Sequence, residues 1–63
     1  MAEYIVWHPY ETPEHTSDFD RALSIATRWI REHKDKRDNT VTITREDLKR
    51  PRVVTIIRGW YIE

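Results

Sequence analysis

Residues 17–34 read SDFDRALSIATRWIREHK, and this stretch decides the fold. Its apolar residues recur at spacings of three and four, which predicts one buried stripe of an α-helix over residues 17–34. The stripe consists of Phe19, Ala22, Leu23, Ala26, Trp29, Ile30 and His33. A single amphipathic helix can cover only one face of a sheet. The other face must therefore stay exposed or meet a partner.

The ends of this helix carry the expected signals. Thr16 or Ser17 is predicted to cap the N-terminus, because a hydroxyl accepts a hydrogen bond from a free N–H of the first turn. His33 is predicted to cap the other end. Arg28 and Glu32 are four residues apart and are expected to pair on the solvent face.

Three strands are predicted around the helix. Residues 2–8 (AEYIVWH) are rich in β-branched and aromatic side chains. Residues 40–45 (TVTITR) alternate strictly, which indicates a strand with one buried face. Residues 52–62 form the last and most apolar strand, and a short connection favours an antiparallel hairpin between these two. Residues 9–16 contain two prolines and are predicted to form a loop.

The order β-α-β-β predicts an α+β fold. We expect one small domain over residues 1–63, with a three-stranded, mainly antiparallel sheet and one helix packed on one face. Strand 52–62 is expected at the centre of the sheet, beside strand 2–8, because it is the most apolar.

The segment 52–63, RVVTIIRGWYIE, is apolar on both faces. One alternate set is Val54, Ile56, Trp60 and Ile62, and the other is Val53, Ile57 and Tyr61. One helix leaves one of these sets uncovered, together with either Ile5 and Trp7 or Tyr4 and Val6. A contiguous apolar patch of this kind marks an interaction site. The alternative is that the loop with Tyr10 folds across the patch. The predicted protein-interface residues are Ile5, Trp7, Ile57, Trp60 and Tyr61.

Composition excludes several classes of protein. The 63 residues include 11 basic and 11 acidic side chains, so no net charge draws the chain to nucleic acid or to an anionic membrane. Cysteine is absent, which excludes disulfides and thiolate zinc sites. No apolar run is long enough to span a membrane, and the N-terminus lacks the features of a signal peptide. The expected location is the cytoplasm.

No catalytic, cofactor or metal site is predicted. His8 and His15 bracket a loop with Glu11 and Glu14, a set that could bind zinc or act as acid and base, but no metal-binding spacing is present. The single glycine, Gly59, lies in a predicted strand, which excludes a glycine-rich phosphate loop. The chain is therefore expected not to be an enzyme and to have no small-molecule substrate.

Basic residues form two groups, which could merge into one positive patch if the hairpin lies near the end of the helix. That patch, beside an aromatic sheet face, would bind single-stranded nucleic acid. Its predicted contacts are Lys34, Lys36, Arg37, Lys49, Arg50 and Arg52.

The segment FDRALSIATRWIREH between two strands resembles small accessory proteins, including those of bacteriophages, with a strand–helix–hairpin layout. The resemblance concerns layout and assigns no residue a role. The favoured function is a non-catalytic protein-interaction module, such as a phage-type accessory protein or inhibitor that modulates a larger host protein. Its partner would be that protein or a second copy of the chain. The alternative is the nucleic-acid binder.

Overall fold

The computed structural model describes residues 2–46 and 50–59. The elements in chain order are β1 (Tyr4–His8), β2 (Glu11–Thr16), α1 (Phe19–Glu32), β3 (Thr40–Arg45) and β4 (Arg52–Arg58). They form one antiparallel sheet in the order β2-β1-β3-β4, with the helix packed on one face. The α+β class and the antiparallel pairing of β3 with β4 are confirmed.

Helix α1 begins two residues later than the sequence predicts, and its cap is Asp18. The carboxylate of Asp18 accepts a hydrogen bond from the Asp20 N–H at 2.9 Å. Thr16 cannot be the cap because it still pairs with Tyr4 in the sheet, and its hydroxyl instead accepts the Asp18 N–H. Ser17 precedes the cap residue.

Helix α1 ends at Glu32, two residues before the predicted end, but the predicted cap is correct. His33 is the C-cap residue, and its N–H donates to the Trp29 carbonyl at 3.0 Å. The expected pair between Arg28 and Glu32 is present at 3.8 Å. Within the described ranges, no helix is both long enough and apolar enough to cross a membrane.

The core lies between α1 and the two central strands. Val6, Val41 and Ile43 are fully buried, and they meet the helix residues Ala22, Ile25, Ala26 and Trp29. Ile25 was missing from the predicted stripe. A helix is about 10 Å wide and strands lie about 4.8 Å apart, so one helix covers about two strands. Helix α1 therefore seals β1 and β3.

The predicted loop over residues 9–16 is wrong, because residues Glu11–Thr16 form β2 and give the sheet a fourth strand. Strand β2 has the polar composition and the proline that are typical of a sheet edge. Thr12 and Pro13 together oppose Trp7, where the register shifts between Val6 and His8. The strand signal is hidden because neither face of β2 is apolar.

The predicted strand order is also wrong. Within residues 2–46 and 50–59, the last strand pairs with β3 alone and lies at the sheet edge, whereas β3 separates it from β1. The prediction took apolar content as a measure of burial. Helix α1 instead packs on β1 and β3, which supply the buried strand residues of the core. Most side chains of β4 are exposed.

Candidate interaction surface

The sheet face opposite α1 exposes large apolar side chains on β1 and β4, with threonines of β3 between them. Directly paired residues share a face, and the pairs Trp7–Thr42 and Thr42–Ile56 connect three strands across this side. Exposed fractions are 41% for Trp7, 53% for Ile56, 59% for Val53 and 43% for Val54. We call this surface the open face; it consists of Trp7, Thr42, Thr44, Val53, Val54 and Ile56.

Trp7 is held in place on the open face. Its indole Nε1–H donates to Thr44 Oγ1 at 2.9 Å, which directs the ring diagonally across β3. Thr44 is the residue opposite Ile5. Ile5 belongs to the same side of the sheet, as predicted, but it is only 7% exposed and offers little area for contact. Trp7 is thus the preorganised aromatic side chain of the surface.

A β-bulge changes which residues of β4 face outward. Ile43 pairs with Thr55 and Thr44 pairs with Val53, so Val53 and Val54 together oppose Thr44. Val53 therefore joins Val54 on the open face instead of the opposite side. Ile57 pairs with the buried Val41 and packs against the core, so its predicted exposure on the interface is wrong. Ile56, and not Ile57, is the isoleucine of β4 that is exposed on the open face.

The remaining predictions about this surface concern Trp60, Tyr61 and the loop that contains Tyr10. Trp60 and Tyr61 lie outside the described residues, so their role stays a prediction. Tyr10 does not fold across the open face. Its ring lies 5.8 Å from the ring of His8 and 5.6 Å from that of His33, beside the C-terminal end of α1. Lys36 Nζ is 5.9 Å from the centre of the same ring.

The two histidines that bracket the loop with Glu11 and Glu14 are separated. His8 is buried on the helix side and His15 lies on the other, where it meets Glu3 at 3.3 Å. The Tyr10 N–H donates to His8 Nδ1 at 3.1 Å, so His8 carries its hydrogen on Nε2 and donates it to Asn39 Oδ1 at 2.8 Å. His8 therefore has a structural role: it is buried, and it joins β1 to Tyr10 and Asn39 through these two hydrogen bonds.

Asn39 extends this network to two other parts of the chain. Its side-chain Nδ2 donates to the Ile30 carbonyl at 2.8 Å, and its own carbonyl accepts the Gly59 N–H at 2.7 Å. A Cβ on Gly59 would overlap Asn39 Nδ2 and lie 2.9 Å from Asn39 Cγ. Glycine is therefore required at position 59 by close approach, and Asn39 joins the ends of β1, α1 and β4.

A group of possible metal ligands lies beside this network. Ligand atoms of Glu11, Glu32 and His33 lie within 4.8 Å of one another. His33 Nε2 and Glu11 Oε2 are 2.7 Å apart, and the His33 ring stacks on His8 at 4.5 Å between centroids. A metal would have to replace the contact between His33 and Glu11, which already joins the helix end to β2.

The two basic groups do not merge. Lys34, Lys36 and Arg37 follow the end of α1, next to the Thr40 end of β3. Arg52 pairs with Arg45 at the opposite end of β3. Six residues of strand separate these ends, a distance of about 17 Å. Arg50 lies with Arg52, and Lys49 lies outside the described residues. The predicted continuous patch is therefore wrong.

No protein-family model, curated protein or solved structure matches this chain.

Proposed function

We propose that this chain is a non-catalytic protein-interaction module that binds a larger protein through the open face and the free edge of β4. The observation that carries the proposal is the open face itself. Four large apolar side chains, a fixed tryptophan on β1 and three on β4, are exposed on one sheet face of a very small domain. Exposed apolar surface of this kind is characteristic of binding sites, and tryptophan is enriched among the residues that dominate binding energy.

The edge of β4 adds a second element to the same surface. Within the described part of the chain, β4 pairs only with β3, so the backbone groups on its other side are available to another strand. A partner strand added here would extend the sheet and would lie next to Ile56 and Val54. Backbone pairing and apolar contact would then act together.

The proposed partner is a different protein and not a second copy. Antiparallel pairing of two β4 strands over all seven residues would be centred on Thr55. It would bring Arg52 of each copy level with Arg58 of the other, although the bulge turns the two side chains to opposite faces. The pair would carry two arginines at each of its ends, and their repulsion disfavours the dimer.

The test compares variants that place lysine at equally exposed apolar positions. Trp7→Lys and Ile56→Lys alter the open face. Tyr10→Lys is the matched control, because Tyr10 is 49% exposed but lies at the helix end. A photo-crosslinker at position 56 identifies the bound protein in an extract, and the complex is then rebuilt from purified components. We expect each open-face variant to weaken binding at least tenfold, and the control to change it less than twofold.

Two results would overturn the proposal. One is an identified partner whose affinity is unaffected by both open-face variants. The other is concentration-dependent dimerisation in light scattering that Ile56→Lys abolishes, because the open face would then serve a second copy of the chain.

A further inference from the structure

We infer that the partner supplies an extended strand with an acidic residue at each end and alternating apolar residues between them. This inference rests on the proposed function and specifies the chemistry of the segment that pairs with β4. It follows from the difference between the two edges of the sheet, the placement of the arginines and the faces on which the residues of β4 lie.

The two sheet edges differ in their fitness for strand addition. Strand β2 contains Pro13, and it carries glutamate at positions 11 and 14, features that block or discourage pairing at an edge. Strand β4 has the sequence RVVTIIR, with neither proline nor acid. Of the two sheet edges that the described residues form, the β4 edge is therefore the better suited to another strand.

The charges of β4 lie at its ends. Arg52 and Arg58 bracket the apolar residues, Arg50 lies just before them, and residues 50–59 contain no acidic side chain. Among the described residues, Arg52 and Arg58 have no ion-pair partner. The arginines that repel a second copy would attract carboxylates placed opposite them.

The spacing of the arginines fixes the spacing of the acids. Arg52 and Arg58 are six residues apart, but the bulge at Val53 and Val54 places them opposite Arg45 and Thr40 of β3, which are five apart. Carboxylates opposite both arginines in an antiparallel added strand must therefore also be five apart. Side chains opposite Val54 and Ile56 would lie on the open face, because paired residues share a face. The recognised segment thus has six residues, with acids at its ends and apolar side chains at its third and fifth positions.

Two capped peptides test this inference. The first has glutamate at both ends, valine at the third and fifth positions and threonine elsewhere; the second has lysine in place of both glutamates. Amide chemical shifts of the labelled protein report both affinity and location. We expect the glutamate peptide to bind at least tenfold more tightly than the lysine peptide, with the largest shifts along β4. Added salt should reduce the difference.

A charge reversal with a matched control completes the test. Arg52→Glu combined with Arg58→Glu should reverse the preference of the protein for the two peptides. Arg21→Glu combined with Arg31→Glu makes the same change of net charge on exposed helix positions and should leave the preference intact. Equal binding of the two peptides, no binding of either at millimolar concentration, or shifts confined to another surface would overturn the inference.

The two proposals can fail separately. A partner whose binding depends on Ile56, together with no binding of the glutamate peptide, would leave the open face as the interaction site and refute strand addition by an acidic segment. Specific peptide binding that Trp7→Lys and Ile56→Lys leave unchanged would support the β4 edge and remove the open face from the proposed function.

Discussion

Replacement of Asn39 by alanine should be among the most destabilising substitutions outside the apolar core. Asn39→Ala removes the hydrogen bonds to His8 Nε2 and to the Ile30 carbonyl, worth about 1 kcal/mol each. It also leaves the buried Nε2–H of His8 without an acceptor, which makes the total about 3 kcal/mol. A domain of this size has a free energy of unfolding of about 3–9 kcal/mol, so a large part of its stability depends on one side chain.

Urea titration followed by far-UV circular dichroism measures this loss. Asp38→Ala is the control, because Asp38 is the exposed neighbour and its substitution should change the free energy of unfolding by less than about 0.5 kcal/mol. The reasoning would be refuted if Asn39→Ala lowered the free energy of unfolding by less than about 1 kcal/mol while the slope of that free energy against urea concentration stayed unchanged.

Gly59→Ala tests the same network from the other side. The added methyl group would displace the Asn39 amide from both of its partners, so we expect a loss of about 2 kcal/mol. In the Asn39→Ala background the methyl group meets mainly the Asn39 carbonyl, at 3.1 Å, and the same change should cost much less. Strict additivity of the two substitutions in this double-mutant cycle would show that the two residues act independently.

Two further predictions concern the helix and the two faces of the sheet. Asp18→Ala should lower the free energy of unfolding by about 1 kcal/mol, measured by urea titration, because the Asp20 N–H loses its acceptor; Asp18→Asn, which keeps an oxygen acceptor, should recover most of the loss. Ile43→Ala should cost about 3 kcal/mol and Ile56→Ala less than about 1 kcal/mol, since Ile43 is fully buried and Ile56 is half exposed. Similar melting temperatures for the two variants would contradict the assignment of the faces.

The sequence predicts the parts of this fold that carry a strong period. Helix α1 and strand β3 were found because their apolar residues repeat at helical and strand spacing. Strand β2 was missed because an edge strand made of polar residues and a proline shows neither period. The order of the strands was missed because it depends on the width that one helix can cover.

The open face could be predicted as a surface but not as a set of residues. Alternation in β1 correctly placed Ile5 and Trp7 on one side. In β4 the bulge opposite Thr44 moves Val53 to the open side, and no pattern in the segment signals it. The position of His8 could have been inferred, because it follows Tyr4 and Val6 on the inward side of β1, but its partner Asn39 is 31 residues away.

The arrangement of the sheet also has a consequence for how the chain folds. Strands β1 and β2 are neighbours in sequence, as are β3 and β4, so each pair can form over a short loop. The contact between β1 and β3 must instead close a loop that contains the whole of α1. Because closure of long loops slows folding, we expect the pairing of β1 with β3 to limit the folding rate. Substitutions between these two strands should then slow folding, whereas substitutions in the outer strands β2 and β4 should mainly speed unfolding.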